Sequence, residues 1–462
     1  MRFRPLPTAA ACLVALSGLA GSAAAAFRPD NALRTATGLT AQTLCTQTFV
    51  SGFDPDAVFA ETVAPTLGHR LLMKLLRYKV DRDGRAVEAR WAGGVASRAV
   101  HRGAAGCLIW RGKGPPPAPP RLEPIAAGQP PLAGPQVVTG PPPLAAALAR
   151  AFEEPAASGA RRNIKAIVVL QDGRLIAERY APGIGVQTPL PGYSVSKTVT
   201  ASLVGRLVAE GRLKLETPAP VAAWADDERA AITLEHLLRM ESGLDAAETH
   251  SGFDFNSDML FLASDMARFA AGARLAHRPG THWAYQSANT HIVAGIVKAA
   301  VGGSETEVLT FAPRELFGPL GMTTAVFETD GAGTPVGGSG VLASARDWAR
   351  LGQLYLDDGV ANGRRLLPAG WAAWAARPTL NRPYGAGLWT NASTDPGRQA
   401  ALTRAVTPPD AIYASGRLGQ RIYMIPSRRL VVVRLGVTQE PGGDLAGDMT
   451  MLAAVMALPA PP

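Results

Sequence analysis

The sequence predicts an α+β fold: an antiparallel sheet assembled from both ends of a large C-terminal unit, a helical insertion between them, and a small unit in front. Two hairpins and a proline-rich stretch carry this expectation. Asn163–Leu170 and Leu175–Tyr180 flank Gln171-Asp172-Gly173, two apolar runs around a tight-turn dipeptide. Gln420–Ile425 and Leu430–Leu435 flank Pro426-Ser427-Arg428-Arg429 as a second hairpin, and alternating helical and loop segments lie between the two. The prolines divide this unit from what precedes it.

The chain has 462 residues, 47% hydrophobic and 18% charged, which is enough apolar material for a large core and excludes a disordered chain. Residues 1–26 read as a signal peptide. Arg2 and Arg4 form its positive start, Ala9–Ala20 its short apolar run, and Ala24-Ala25-Ala26 its cleavage site. Cleavage after Ala26 predicts a periplasmic or secreted protein. Cys12 has no convincing lipobox before it, and no later run is long and apolar enough to span a bilayer, so no stable membrane insertion is expected after cleavage. Cleavage removes two arginines and no acid, taking the formal charge from +9 to +7. The arginines that remain are scattered and not interleaved with aromatics, which argues against nucleic acid as a partner.

Residues 27–112 form the N-terminal unit. Leu75–Val80 and Arg85–Trp91 read as strands around Asp81-Arg82-Asp83-Gly84, and a third ends at Cys107–Trp110. Cys45 and Cys107 are the two cysteines left in the mature chain, and an oxidising compartment makes them a disulfide. Such a loop closure stabilises by about 3–4 kcal/mol in the chain-entropy model. No catalytic constellation is present here, and the unit reads equally as a lid, a partner-binding module or a stabilising appendage. Residues 113–144 include Pro115-Pro116-Pro117 and Pro141-Pro142-Pro143, an extended connector that is either a free linker or a strap over the next unit.

Residues 145–462 hold the chemistry. After Ser194, the residues Val195, Val199, Leu203, Val204, Leu207 and Val208 recur at helical spacing, so Ser194 sits near a helix N-terminus, where developing negative charge is favoured. Lys197 lies one turn on, on the same face. A serine hydroxyl needs a base, and a lysine can serve where burial or neighbouring charge populates its neutral amine. Reading three places back from each lysine, only Lys197 finds a serine. Downstream, Arg278-Pro279-Gly280 makes a turn toward Tyr285-Gln286-Ser287 and an apolar helix, which can aim a phenol into a cleft. Near the end, Ser415-Gly416-Arg417-Leu418-Gly419-Gln420 enters a strand. Its glycines permit close approach to a ligand, Arg417 offers charge to a substrate carboxylate, and the Gln420 N–H is a candidate partner of the Ser194 N–H in an oxyanion hole.

Together and in this order, Ser194-Val195-Ser196-Lys197, Tyr285-Gln286-Ser287 and Arg417-Leu418-Gly419 resemble the motifs of the serine β-lactamase-like superfamily. Its members include class C β-lactamases, DD-peptidases, esterases and 6-aminohexanoate-dimer hydrolases. The wording of Ser-Val-Ser-Lys and Met240-Glu241-Ser242-Gly243-Leu244 is closest to the last of these, and Gly338–Gly352 resembles the family's glycine-rich loop and helix. The resemblance implies a β-lactamase/transpeptidase-like fold with a helical subdomain. It also implies an acyl-enzyme on Ser194, with Lys197 and Tyr285 as base and Ser287, Arg417 and Gly419 at the substrate. A small molecule or short peptide is the expected substrate, with no metal and no cofactor. Two departures matter. Ser287 stands where β-lactamases have an asparagine, and Arg417-Leu418 replaces Lys-Thr, which keeps a charge and loses a hydroxyl. Both point away from efficient β-lactam hydrolysis. A carboxylesterase, a D-aminopeptidase or a weak β-lactamase would use the same machinery, and a periplasmic binding protein would keep the site without turnover.

Overall fold

The computed structural model describes residues 30–66, 75–112, 114–155, 161–249, 252–439 and 445–459. The signal-peptide expectation at 1–26 lies outside them. Among the described residues no helix is long and apolar enough to cross a membrane.

The first unit is a helix, α1 (Asp30–Phe49), laid across an antiparallel sheet of β1 (Leu76–Asp81), β2 (Ala86–Trp91), β3 (Ala96–His101) and β4 (Cys107–Trp110), paired in that order. The Asp81 carboxylate closes the first turn by accepting the Gly84 N–H at 2.9 Å. β3 was not singled out in the sequence, where Ala96-Ser97-Arg98 breaks any apolar alternation. Leu44, Cys45, Val87 and Ala99 fill the space between helix and sheet, and the Cys45–Cys107 disulfide ties α1 to β4.

The proline-rich segment is a strap. It runs without helix or strand up to α2 (Pro142–Ala151), as expected of residues that cannot donate to a ladder. Two arginines of a helix described below hold it down. Arg346 donates to the carbonyls of Gly134 at 2.7 Å and Gln136 at 2.9 Å, and Arg350 donates to Gln129 Oε1 at 3.2 Å and to the Pro130 carbonyl. Arg346 also pairs with buried Glu178. Removing one partner of such a buried pair costs about 3–5 kcal/mol.

Beyond the strap, β5 (Ile164–Gln171) and β6 (Arg174–Tyr180) form the expected hairpin, with Asp172 at φ +51° and Gly173 at φ +74° as its two-residue turn. From here the chain leaves the sheet for its helical portion. This includes α3 (Ser196–Ala209), α4 (Ser287–Val301) and α5 (Ala345–Leu356), the helix that carries Arg346 and Arg350. It returns as β7 (Trp389–Thr390), β8 (Ile412–Gly416), β9 (Gln420–Ile425) and β10 (Leu430–Gly436), and closes on α6 (Leu445–Met456). The six strands run antiparallel in the order β7-β8-β9-β10-β5-β6, so β10 from one end of the unit pairs with β5 from the other.

The period of two along β5 sorts its side chains. Ile167 and Val169 pack with Leu148 of α2 and Leu452 of α6, while Val168 and Leu170 face the main core with Trp348 of α5. Covered on both faces, the sheet becomes a fixed wall. α5 packs on its main-core face, with Gly352 against Val431 and Ile422, and α3 and α4 pack on each other and meet at the site.

Candidate active site

Ser194 lies in a single 3₁₀ turn, Tyr193–Val195, that feeds α3. Tyr193 is held at φ +46°, a conformation that costs a non-glycine residue about 1–3 kcal/mol and clusters at functional sites. The turn is pinned from three sides. The Gly192 N–H donates to the Val341 carbonyl at 2.9 Å, the Val341 N–H donates to Ser196 Oγ at 3.0 Å, and Gly416 of β8 packs on Gly192. A Cβ at Gly416 would stand 2.3 Å from the Gly192 carbonyl oxygen, so only glycine lets the end of β8 come this close to the nucleophile turn.

Lys197 is 2% exposed, and its Nζ sits 3.0 Å from Ser194 Oγ, 2.9 Å from Ser287 Oγ and 3.1 Å from the Gly338 carbonyl oxygen. Two of these partners are hydroxyls, which donate as well as accept, and one is a carbonyl, which only accepts. A neutral amine here can donate to Gly338 and one hydroxyl while taking a proton from the other. Thr200 Oγ1 donates to the Gly337 carbonyl at 2.9 Å and so ties the glycine loop to α3.

Ser287 opens α4, and its backbone N–H donates to Glu248 Oε2 at 2.6 Å. The segment before the helix is braced by the Ser-Gly-Leu turn: Gln286 Nε2 donates to the Leu244 carbonyl at 2.9 Å, and Ser242 Oγ donates to Asn289 Oδ1 at 2.7 Å. Tyr285 meets the lysine through its ring, whose centre is 4.9 Å from Nζ. The same ring stacks on Trp389 and stands edge-on to Tyr384, so its place is fixed by aromatic packing.

The turn after β8 divides the remaining expected residues. Arg417 lines the cavity into which Ser194 opens and reaches Thr66 Oγ1 at 3.5 Å. Gly419 packs against Arg434, which donates to its carbonyl at 2.8 Å. The Gln420 side chain is 2% exposed and braces the turn, donating to the carbonyls of Arg417 at 3.0 Å and Gly436 at 2.7 Å. Gly419 and Gln420 thus shape the turn while Arg417 faces the cavity.

Sequence reasoning gave no site role to Glu248, Gly338, Asn289 or Glu328. The Glu328 carboxylate, buried at the cavity wall, accepts from Thr46 Oγ1 at 2.7 Å, Gln42 Nε2 at 3.1 Å and the Cys107 N–H at 2.9 Å, all three from the N-terminal unit. Burial raises it to about 7 against those three donors. The cavity, about 590 Å³, therefore lies between the two units.

The model of the Beta-lactamase family matches residues 148–455. The chain belongs to the beta-lactamase family. It is a serine hydrolase of the kind that acts on amide or ester bonds, on the β-lactamase/transpeptidase-like fold. The 6-aminohexanoate-dimer hydrolase of Paenarthrobacter ureafaciens is 27% identical over 311 residues, covering 60% of this chain and 73% of that protein. Among solved structures, a family VIII carboxylesterase superposes with a TM-score of 0.53 at 17% identity, over 69% of this chain and 98% of its own. A penicillin-binding protein homologue from Caulobacter crescentus gives 0.52 at 19%, again over 69% and 98%. At these identities the two structures share the fold. The family match begins at residue 148, so α1 and its sheet lie outside it.

Proposed function

We propose that the protein is an exported hydrolase that cleaves an amide or ester through an acyl-enzyme on Ser194. The observation that carries this is the buried Lys197 amine, 3.0 Å from the Ser194 hydroxyl and held there by Ser287 and Gly338. Ser194 Oγ attacks the substrate carbonyl carbon, and its proton passes to Lys197 and Tyr285 acting as one unit. The oxyanion rests on the Ser194 N–H at the start of α3 and on a second N–H from the turn after β8. Sequence reasoning placed that donor at Gln420; Arg417 is the turn residue that lines the cavity, and its N–H takes the role in our reading. The carbon–nitrogen or carbon–oxygen bond then breaks, and the leaving amine or alcohol takes the proton. Water gives a proton to the same pair as its oxygen adds to the acyl carbonyl; the bond from that carbon to Ser194 Oγ then breaks, Oγ takes the proton, and the carboxylic acid leaves.

A linear amide is the first substrate class to try, because the curated relative is named for hydrolysis of the 6-aminohexanoate dimer. The signal-like first 26 residues and the Cys45–Cys107 disulfide support export to an oxidising compartment. A stopped-flow trace with a p-nitrophenyl ester, run beside Ser194→Ala, tests the chemistry. A burst followed by turnover, both lost in the variant, is the expected result. Turnover that survives in Ser194→Ala would remove the serine from the mechanism.

A further inference from the structure

One face of α1 lines the catalytic cavity. Of the α1 residues that line it, those at 32, 35, 36, 39, 42, 43 and 46 fall at the three-and-four spacing of a single helical stripe, with Leu33 and Gln47 at its margins. The opposite face, with Ala41, Leu44 and Cys45, packs on the unit's own sheet. The stripe is graded along the helix. Its first turns present Leu33, Ala36 and Leu39 with a single polar group, Thr35, and its later turns present Gln42, Thr43 and Thr46.

The polar end is tied to the nucleophile. Gln42 and Thr46 hold Glu328, whose N–H donates to the Gly340 carbonyl at 2.8 Å. The next residue, Val341, accepts from the Gly192 N–H two places before Ser194. The apolar end of α1 therefore runs away from the reacting serine. Leu260 and Phe261 of the helix Phe255–Leu262, together with Ile109 of β4, complete an apolar slot around it.

We propose that α1 is a specificity wall, selecting an ester or amide that carries an extended apolar chain on one flank of the scissile bond. It rests on the acyl-enzyme at Ser194. The chain lies along Leu33, Ala36 and Leu39 with its polar carbonyl at the serine. Each methylene that enters the slot raises kcat/KM about fourfold until the slot is full.

The test uses the mature, disulfide-bonded protein and two series of esters. One series varies the acid, from p-nitrophenyl acetate to p-nitrophenyl octanoate. The other varies the alcohol, from ethyl acetate to octyl acetate, followed by pH-stat. The readout is the ratio of long-chain to short-chain kcat/KM. We expect it to climb in one series, identifying the flank, and to fall about tenfold in Leu39→Trp, which fills the slot. Leu39→Ala, which widens the slot and adds no bulk, should move the optimum to longer chains and keeps the test alive if the tryptophan variant fails to fold. Wild-type protein that turns over both acetates through Ser194 with no dependence on length would overturn the wall and leave the acyl-enzyme standing. Ratios unchanged in both variants would do the same. Absence of any turnover lost in Ser194→Ala would overturn both.

Discussion

The two walls of the catalytic cavity are built from different materials. On one side the turn into α3, α3 itself and α4 present two hydroxyls and an amine, the Lys197 amine held between Ser194, Ser287 and the Gly338 carbonyl. On the other side α1 presents leucines and alanines among threonines and glutamines, and its unit is held by a disulfide, one buried carboxylate and the Arg102–Glu305 pair at 2.7 Å. The first wall lies within the residues matched by the family and the second outside them. Bond-breaking geometry tolerates errors of a fraction of an ångström, and it is supplied by local, rigid contacts. Recognition of a chain needs area and shape, and an appended unit can provide those without disturbing the chemistry.

The largest effect expected is on the first wall. Lys197→Met keeps an unbranched side chain one atom shorter and removes the amine, so kcat should fall about 10³-fold, the contribution typical of a positioned base. Native circular dichroism should be kept. A burst rate equal to wild type would show that Ser194 is activated by another group and would break the division between the walls.

Glu328 joins the walls, and its burial makes the joint depend on pH. The carboxyl rises from its ordinary 4.5 to about 7, so the folded chain binds this proton more tightly than the unfolded one. Its contribution to stability is complete below about pH 4.5 and declines as pH rises toward 7, a loss of about 3 kcal/mol by pH 8. Buried Asp330, raised to about 6, adds a change of the same sign and similar size. Glu328→Gln mimics the protonated form and should remove about half of the combined change. Urea denaturation of the two proteins at pH 5 and pH 8 reads the difference directly, and parallel behaviour at both pH values would mean that Glu328 carries no proton-linked cost.

How much of this was legible depended on sequence distance. Ser194 and Lys197 are three residues apart on a helix, so spacing alone put them on one face. The hairpins at Asp172-Gly173 and Pro426–Arg429 were equally local. Ser287 was legible as the third residue of the Tyr285 motif, although nothing local showed that it would bond Lys197 from 90 residues away. Glu328 meets Gln42 and Thr46 across more than 280 residues, which no periodicity reports. The cavity stripe on α1 was hidden because threonines and glutamines share it with leucines, so the helix shows no clean apolar face. The shape of the turn after β8 was hidden for a different reason: Leu418 at φ +61° and Gly419 at φ +86° fold it tightly, and no periodicity reports two left-handed residues in a row. The strand β8, Ile412-Tyr413-Ala414-Ser415-Gly416, has too few branched residues to announce itself.

The smallest effect expected falls on Ser287. Its hydroxyl is one of three partners of the Lys197 amine, and Ser287→Ala leaves Ser194 and Gly338 in place. The loss is one hydrogen bond that orients the base, about 1 kcal/mol and so about fivefold in kcat. KM should hardly move, because the amine acts on the serine proton and not on substrate binding. Ser287→Thr keeps the hydroxyl and should restore kcat. If the alanine variant instead raises KM and leaves kcat alone, the hydroxyl belongs to substrate recognition, and the first wall shares the task assigned to the second.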